Sequence, residues 1–291
     1  MLKIKSWRWK NHGLLLLALV FLMFLTGSAY YWTRENVDQL AKWRNSRLSP
    51  VIMIPGSSAT ENRFDSLVAK LNETAPVQHS LLKVKVYNSG QIIYSGHIRA
   101  RDDEPIIVVG FQNNQDGYDN IKLQAKMFDK VFAQLQARYN FNNFKAFGYS
   151  NGGLIYTAFL EKYYDQYDVT MKRLMTIGSP YNFNEATLNH KTQMLADFID
   201  QRKKLPTDLT VYSIAGTENY DSDGLVPLGS VEAGKYIYQE QVKHYTEITV
   251  TGGDAQHSDL PDNQQIVQLI QTDLLEKIDR NQSSGKVNAT P

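Results

Sequence analysis

Apolar and polar positions along this 291-residue chain fall into three patterns. The first is one unbroken apolar run at residues 13–32, GLLLLALVFLMFLTGSAYYW. Its strictly apolar centre, residues 14–25, has the length of a signal-peptide core. Counted through Tyr30-Tyr31-Trp32 it reaches 20 residues, enough to cross a bilayer with an aromatic anchor at the far interface. Gly27-Ser28-Ala29 is an acceptable cleavage site, so the run fits a cleaved secretory signal or an uncleaved signal anchor. The bulky Tyr30-Tyr31-Trp32 just after that site favours the anchor.

The second pattern is a set of short runs that are apolar on both faces, at residues 51–54, 106–111, 144–148, 173–177, 209–215 and 245–250. The third is apolar spacing of three and four, clearest in Leu123, Met127, Val131 and Leu135 within residues 121–138. It recurs at residues 62–71, 151–164 and 266–278. Strands that are apolar all round and separated by helices predict a largely parallel sheet covered on both faces, an α/β fold. Residues 81–87 and 91–95, joined by Asn88-Ser89-Gly90, predict a hairpin. Residues 33–49 read as a stalk and 50–280 as one catalytic domain. Residues 181–208 form an insertion that could act as a cap, and 281–291 a mobile tail.

Charge sharpens this division. The chain carries 31 Lys and Arg against 30 Asp and Glu, a formal charge of +1. Lys3, Lys5, Arg8 and Lys10 all precede the apolar run, and the first acidic residue is Glu35. Those four cations account for the difference between +1 for the chain and −3 for residues 33–291. Cations before the run keep the N-terminus cytoplasmic and send the rest of the chain across the membrane. The mildly acidic body gives no reason to expect a nucleic-acid partner. With no cysteine, thiol nucleophiles, cysteine metal sites and disulfides are excluded.

The chemistry concentrates at Gly148-Tyr149-Ser150-Asn151-Gly152-Gly153, where a predicted strand runs directly into a predicted helix. A serine on such a turn projects its hydroxyl above the sheet edge, and the flanking glycines let strand and helix pack closely. The hydroxyl needs a general base and the base an orienting acid, in the chain order Ser, Asp or Glu, His. Asp223 and His257 fill that order on loops after the strands at 209–215 and 245–250. His257 is preferred to His190, which lies in the insertion, and to His244, which precedes the last strand. Asp223 is preferred to Asp221 and Glu218 because it precedes the tight turn Gly224-Leu-Val-Pro227. The run from Asn219 to Gly224 imitates the start of a calcium loop, but position twelve is Ser230 rather than Glu. For the developing oxyanion, the backbone N–H of Asn151 and that of Ser57, in the loop Pro55-Gly56-Ser57-Ser58, are the expected donors. No cofactor is called for.

These segments together resemble the α/β-hydrolase superfamily, and within it the exported or cell-surface hydrolases of lactobacilli and listeria known as the family of unknown function 915. The resemblance spans residues 51–278. It rests on Ile54-Pro-Gly-Ser-Ser58, Gly148-Tyr-Ser-Asn-Gly-Gly153, Ile177-Gly-Ser-Pro180, Ser222-Asp-Gly-Leu-Val-Pro227 and Ala255-Gln-His-Ser-Asp-Leu260. It implies Ser150 as nucleophile, Asp223 as acid and His257 as base. Pro55 stands where a histidine often precedes the oxyanion-loop glycine, and Tyr149 and Asn151 replace a common His and Met beside the serine. The expectation is an extracytoplasmic serine esterase with an ester-bearing small molecule, lipid or glycan as substrate. Two rivals are an acyltransferase using the same three residues and a binding module that keeps the fold without the chemistry.

Overall fold

The computed structural model describes residues 5–43 and 45–275, with side chains described for 13–33 and 45–275. The tail expected at 281–291 lies outside the described residues, as do 276–278 at the end of the last expected helix. The described residues fall into two compact units, one up to residue 45 and the other from residue 46.

In the first unit, one helix, α1 (Lys5–Trp43), contains the whole apolar run and much of the expected stalk. Its segment Gly13–Thr33 is long and apolar enough to cross a membrane, about 30 Å at 1.5 Å per residue. The hydroxyls of its polar residues turn back onto the helix. Thr26 Oγ1 donates to Leu22 O at 2.9 Å, Ser28 Oγ to Phe24 O at 2.9 Å and Thr33 Oγ1 to Ala29 O at 2.7 Å. Such back-bonding satisfies hydroxyls where no water is present.

The second unit is built on one eight-stranded sheet in the order β3-β2-β4-β1-β5-β6-β7-β8. The strands are β1 (Val51–Ile54), β2 (Leu81–Val86), β3 (Ile92–Gly96), β4 (Ile106–Phe111), β5 (Asn143–Tyr149), β6 (Thr170–Ile177), β7 (Thr210–Thr217) and β8 (His244–Thr251). Only the β2–β3 hairpin is antiparallel; every other pair runs parallel. All parallel strands therefore end on the same edge, and the loops that leave them gather there.

Alternate residues of the buried strands feed two cores. Ile52, Ile54, Ile107, Val109 and Phe144 face α3 (Tyr118–Tyr139), α4 (Asn151–Lys162) and α5 (Gln193–Gln201). Val51, Met53, Ile106, Val108 and Phe147 face α2 (Asp65–Thr74) and α8 (Gln264–Leu269). The first core is strongly aromatic. Phe132 lies 4.9 Å from Phe144, 5.3 Å from Phe159 and 4.9 Å from Tyr167, ring centre to ring centre.

Several elements differ in extent from the sequence reading. The helix expected at 62–71 starts at Asp65, because residues before it form turns around the buried Phe64. The last helix gives way after Leu269 to a π-turn at Ile270–Leu274. Two short helices, α6 (Leu228–Glu232) and α7 (Lys235–Tyr238), were not expected at all. Within 181–208, a loop leads to α5, whose Met194, Leu195 and Phe198 are buried in the aromatic core with Tyr181. Phe183 and Leu188 pack at that core's margin.

Helix α4 is buried from Asn151 through Glu161. Burial of Glu161, 3% exposed and with no hydrogen-bond partner for Oε1 among the described residues, pushes its carboxyl up to about 9, against the pull of Lys162 and Lys204. Its folded value lies above the ordinary 4.5. Between the two, the folded chain holds a proton that the unfolded chain has released, so stability falls as pH rises through that window. Glu161→Gln removes this slope. Thermal unfolding of the full chain is expected to show the variant several degrees more stable than wild type near pH 8, at roughly 2–4 °C per kcal/mol, and the two equal near pH 4.5.

Candidate active site

Strand β5 passes into helix α4 through one residue, Ser150. Its backbone sits at φ 53°, ψ −121°, a conformation that a residue with a side chain rarely adopts. Holding it costs on the order of 1–3 kcal/mol. Two backbone hydrogen bonds restrain it: Ser150 N–H to Ile177 O at 2.8 Å and Gly153 N–H to Ser150 O at 3.1 Å. The turn is also closed in by neighbours that leave no room for side chains. A Cβ on Gly152 would lie 2.1 Å from Ile54 O, one on Gly148 2.5 Å from Gly153 N, and one on Gly56 2.7 Å from Ser150 Cβ. The glycines on either side of Ser150 are therefore a packing requirement of this crossing.

Asp223 and His257 meet Ser150 from two neighbouring strand ends. The loop after β8 carries His257, which is 8% exposed, and places its Nε2 3.0 Å from Ser150 Oγ. The loop after β7 carries Asp223, 1% exposed, whose Oδ2 lies 2.6 Å from His257 Nδ1. The other carboxylate oxygen, Oδ1, accepts from the backbone N–H groups of Val226 at 2.7 Å and Leu225 at 3.1 Å. The turn expected after Asp223 thus folds back as donors to the carboxylate, with Gly224 at φ 86° and Ser222 paired with Pro227. A further bond, from His257 N–H to Asp223 O at 2.8 Å, joins the two loops through their backbones. Asp221 and Glu218 are exposed on the same loop, and His190 and His244 are exposed elsewhere. His244 begins β8, at the opposite edge of the sheet from Ser150.

Tyr149 completes the seat of the imidazole. Its ring lies 5.1 Å from that of His257, tilted by 34°, and its hydroxyl donates to His257 O at 2.7 Å. Burial, with the charges of Asp223 and Asp259, pushes the phenol up to about 12 despite the opposing Arg63 guanidinium. It therefore remains a donor at neutral pH. Arg63 stacks over the Tyr149 ring at 5.4 Å and pairs with Asp262 at 3.1 Å, and it also donates to Ser258 O. This belt of contacts fixes the His257 loop from below. The sequence shows Tyr149 only as a departure from a common histidine, and nothing in it links Arg63 to the site.

The expected oxyanion donors flank Ser150. Asn151 is the first residue of α4, so its N–H is one of those a helix leaves without an intrahelical acceptor. Ser57 lies in the loop after β1, whose Gly56 packs against Ser150. Pro55 has no N–H to give, and the Ser58 N–H is committed to Asn114 O at 2.8 Å. The loop after β4 reaches both sides of this arrangement. Asn114 Nδ2 donates to Ala59 O at 2.8 Å, and Asp116 Oδ1 accepts from Asn151 Nδ2 at 2.8 Å. Polar residues in a loop read as solvent-facing in a sequence, so this bracing gave no signal there. Among the described residues no three His, Asp or Glu side chains converge as metal ligands.

A buried Asp–His–Ser series on a strand–turn–helix crossing, at the C-terminal edge of a parallel sheet, defines an α/β-hydrolase architecture. Residues 39–277 match the model of the family described as alpha/beta hydrolase of unknown function (DUF915), and the chain belongs to that family. A solved structure from Lactobacillus plantarum, named provisionally as a cell surface hydrolase, is 56% identical with a TM-score of 0.72, covering 78% of this chain and 91% of that one. The structure of a gene product of Listeria innocua is 27% identical with a TM-score of 0.71, covering 79% of this chain and 96% of that one. No curated protein matches the sequence.

Proposed function

We propose that this hydrolase is an extracytoplasmic serine esterase acting on carboxylic esters. The observation that carries the reading is the unbroken hydrogen-bond series from Asp223 through His257 to Ser150 Oγ. With the carboxylate holding Nδ1–H, the imidazole presents a bare Nε2 to the serine hydroxyl. As Ser150 Oγ attacks the ester carbon, its proton passes to Nε2 and the carbonyl oxygen gains negative charge. In this reading the N–H groups of Asn151 and Ser57 hold that charge, with the positive end of α4 adding to the Asn151 side. Collapse of the tetrahedral intermediate expels the alcohol, which leaves with the proton from Nε2. Water then attacks the acyl-serine with His257 again as base and frees the carboxylic acid. Every proton taken is returned, so no co-reactant besides water is needed.

The neighbouring elements support this assignment. The Asp223 carboxylate accepts three hydrogen bonds, so its buried charge is satisfied and the imidazolium formed in each step has a counter-charge. Purified full-length chain is expected to hydrolyse short-chain p-nitrophenyl esters. Ser150→Ala should lower kcat more than a thousandfold, and Asp223→Asn by about 10⁴. Equal rates in wild type and Ser150→Ala would contradict the assignment.

For localisation, we read α1 as an uncleaved signal anchor with the catalytic unit outside the cytoplasmic membrane. The apolar length of Gly13–Thr33, the preceding cations and the exposed Tyr30, Tyr31 and Trp32 at the far end support this. The name of the Lactobacillus plantarum structure points the same way. Mass spectrometry of the native protein is expected to find the N-terminal segment intact; a chain starting near Tyr30 would show cleavage instead.

A further inference from the structure

Behind the loop that carries Ser57 lies a buried amide that the hydrolytic scheme does not use. Gln124, in the second turn of α3, is 2% exposed. Its Nε2 donates to Asn113 O at 2.5 Å, which fixes the amide on the loop after β4. Its Oε1 is buried with no hydrogen-bond partner among the described residues. A buried carbonyl left so is costly, and a side chain this closely held has no route to solvent. Gln124 also lines a cleft of about 10 Å³. The rest of its lining is the loop after β1, Pro55 to Ser57 with Ala59, together with Phe111, Asn114 and Ile155. This is room for about one water molecule, and the walls carry the polar partners that a bound water needs. The volume is too small for an organic ligand.

We propose that Gln124 is a positioning residue for the oxyanion hole, acting through a single water held in this cleft. The water donates one hydrogen to Gln124 Oε1 and the other to a backbone carbonyl of the Gly56–Ser57 segment, leaving the Ser57 N–H for the oxyanion. The loop needs such a brace on this side. Its far end is pinned by Ser58 N–H on Asn114 O and by Asn114 Nδ2 on Ala59 O. Ser58 itself sits at φ 57°, a left-handed conformation that a residue with a side chain adopts at a cost. The Gly56–Ser57 peptide, which bears the Ser57 N–H, is the one whose rotation would turn a donor away from the reacting carbonyl. Gln124, Asn113 and Asn114 thus form one unit from α3 to the loop. The inference rests on the reading of Ser150 as nucleophile and Ser57 as donor.

Two measurements on the full chain test it. A crystal structure at a resolution that shows ordered water is expected to place one in the cleft, within hydrogen-bond distance of Gln124 Oε1. Gln124→Met keeps the volume and removes the acceptor. It is expected to lower kcat for a p-nitrophenyl ester about tenfold to a hundredfold, less than outright loss of an oxyanion donor, with KM within about twofold of wild type. A merely structural role would lower the amount of folded enzyme and leave kcat per phosphonate-titrated site unchanged. A dry cleft, or Gln124→Met with wild-type kcat per active site, overturns the inference and leaves the triad reading intact. Absence of turnover in the wild-type chain overturns the triad reading itself, while the water in the crystal still reports on the cleft.

Discussion

The catalytic unit depends on one crossing, where β5 turns into α4 through Ser150 with φ at 53°. That turn is strained, and it persists because the surroundings allow no other course. Gly152 touches Ile54 O, Gly148 touches the backbone of Gly153, and Gly56 touches Ser150 itself. The tight contact of sheet, helix and loop supplies the packing energy that offsets the strain. It also sets the serine hydroxyl at the sheet edge with a helix N-terminus behind it.

The partners of Ser150 follow from the parallel sheet. Strands β7 and β8 pair in register over eight residues, from Thr210 with His244 to Thr217 with Thr251. Their following loops therefore leave the sheet side by side. This brings Asp223 and His257, 34 residues apart, into contact by both side chain and backbone. Each loop has its own brace: the Val226 and Leu225 amides for the carboxylate, and Tyr149 with Arg63 for the histidine. A low-dielectric setting strengthens this series, because neither Asp223 nor His257 competes with much water.

Much of this was legible in the sequence because it is carried by patterns that local physics imposes. Strands apolar on both faces announced the covered parallel sheet, and the spacing of Leu123, Met127, Val131 and Leu135 announced α3. The glycines around Ser150 are legible for the same reason: only glycine fits there. Other features have no such signature. Helices α6 and α7 have five and four residues, too few to show a period. The first three residues of β6, Thr170 to Lys172, include two that are only half-buried and polar, which masked the start of the strand. Lys145 sits fully buried within β5 and pairs with Glu104, a long-range match that neither segment reveals. The bracing by Asn114, Asp116 and Gln124 is hidden likewise, since side-chain-to-backbone bonds across loops leave no periodic trace.

The most direct test of the account is covalent. A fluorophosphonate probe applied to the folded full-length chain is expected to modify one residue per molecule, and peptide mapping should place the adduct on Ser150. His257→Ala should slow that reaction by orders of magnitude, because the hydroxyl loses the base at Nε2. A folded chain whose Ser150 stays unmodified, or which reacts as fast without His257, would contradict the assignment of this series as the reactive centre.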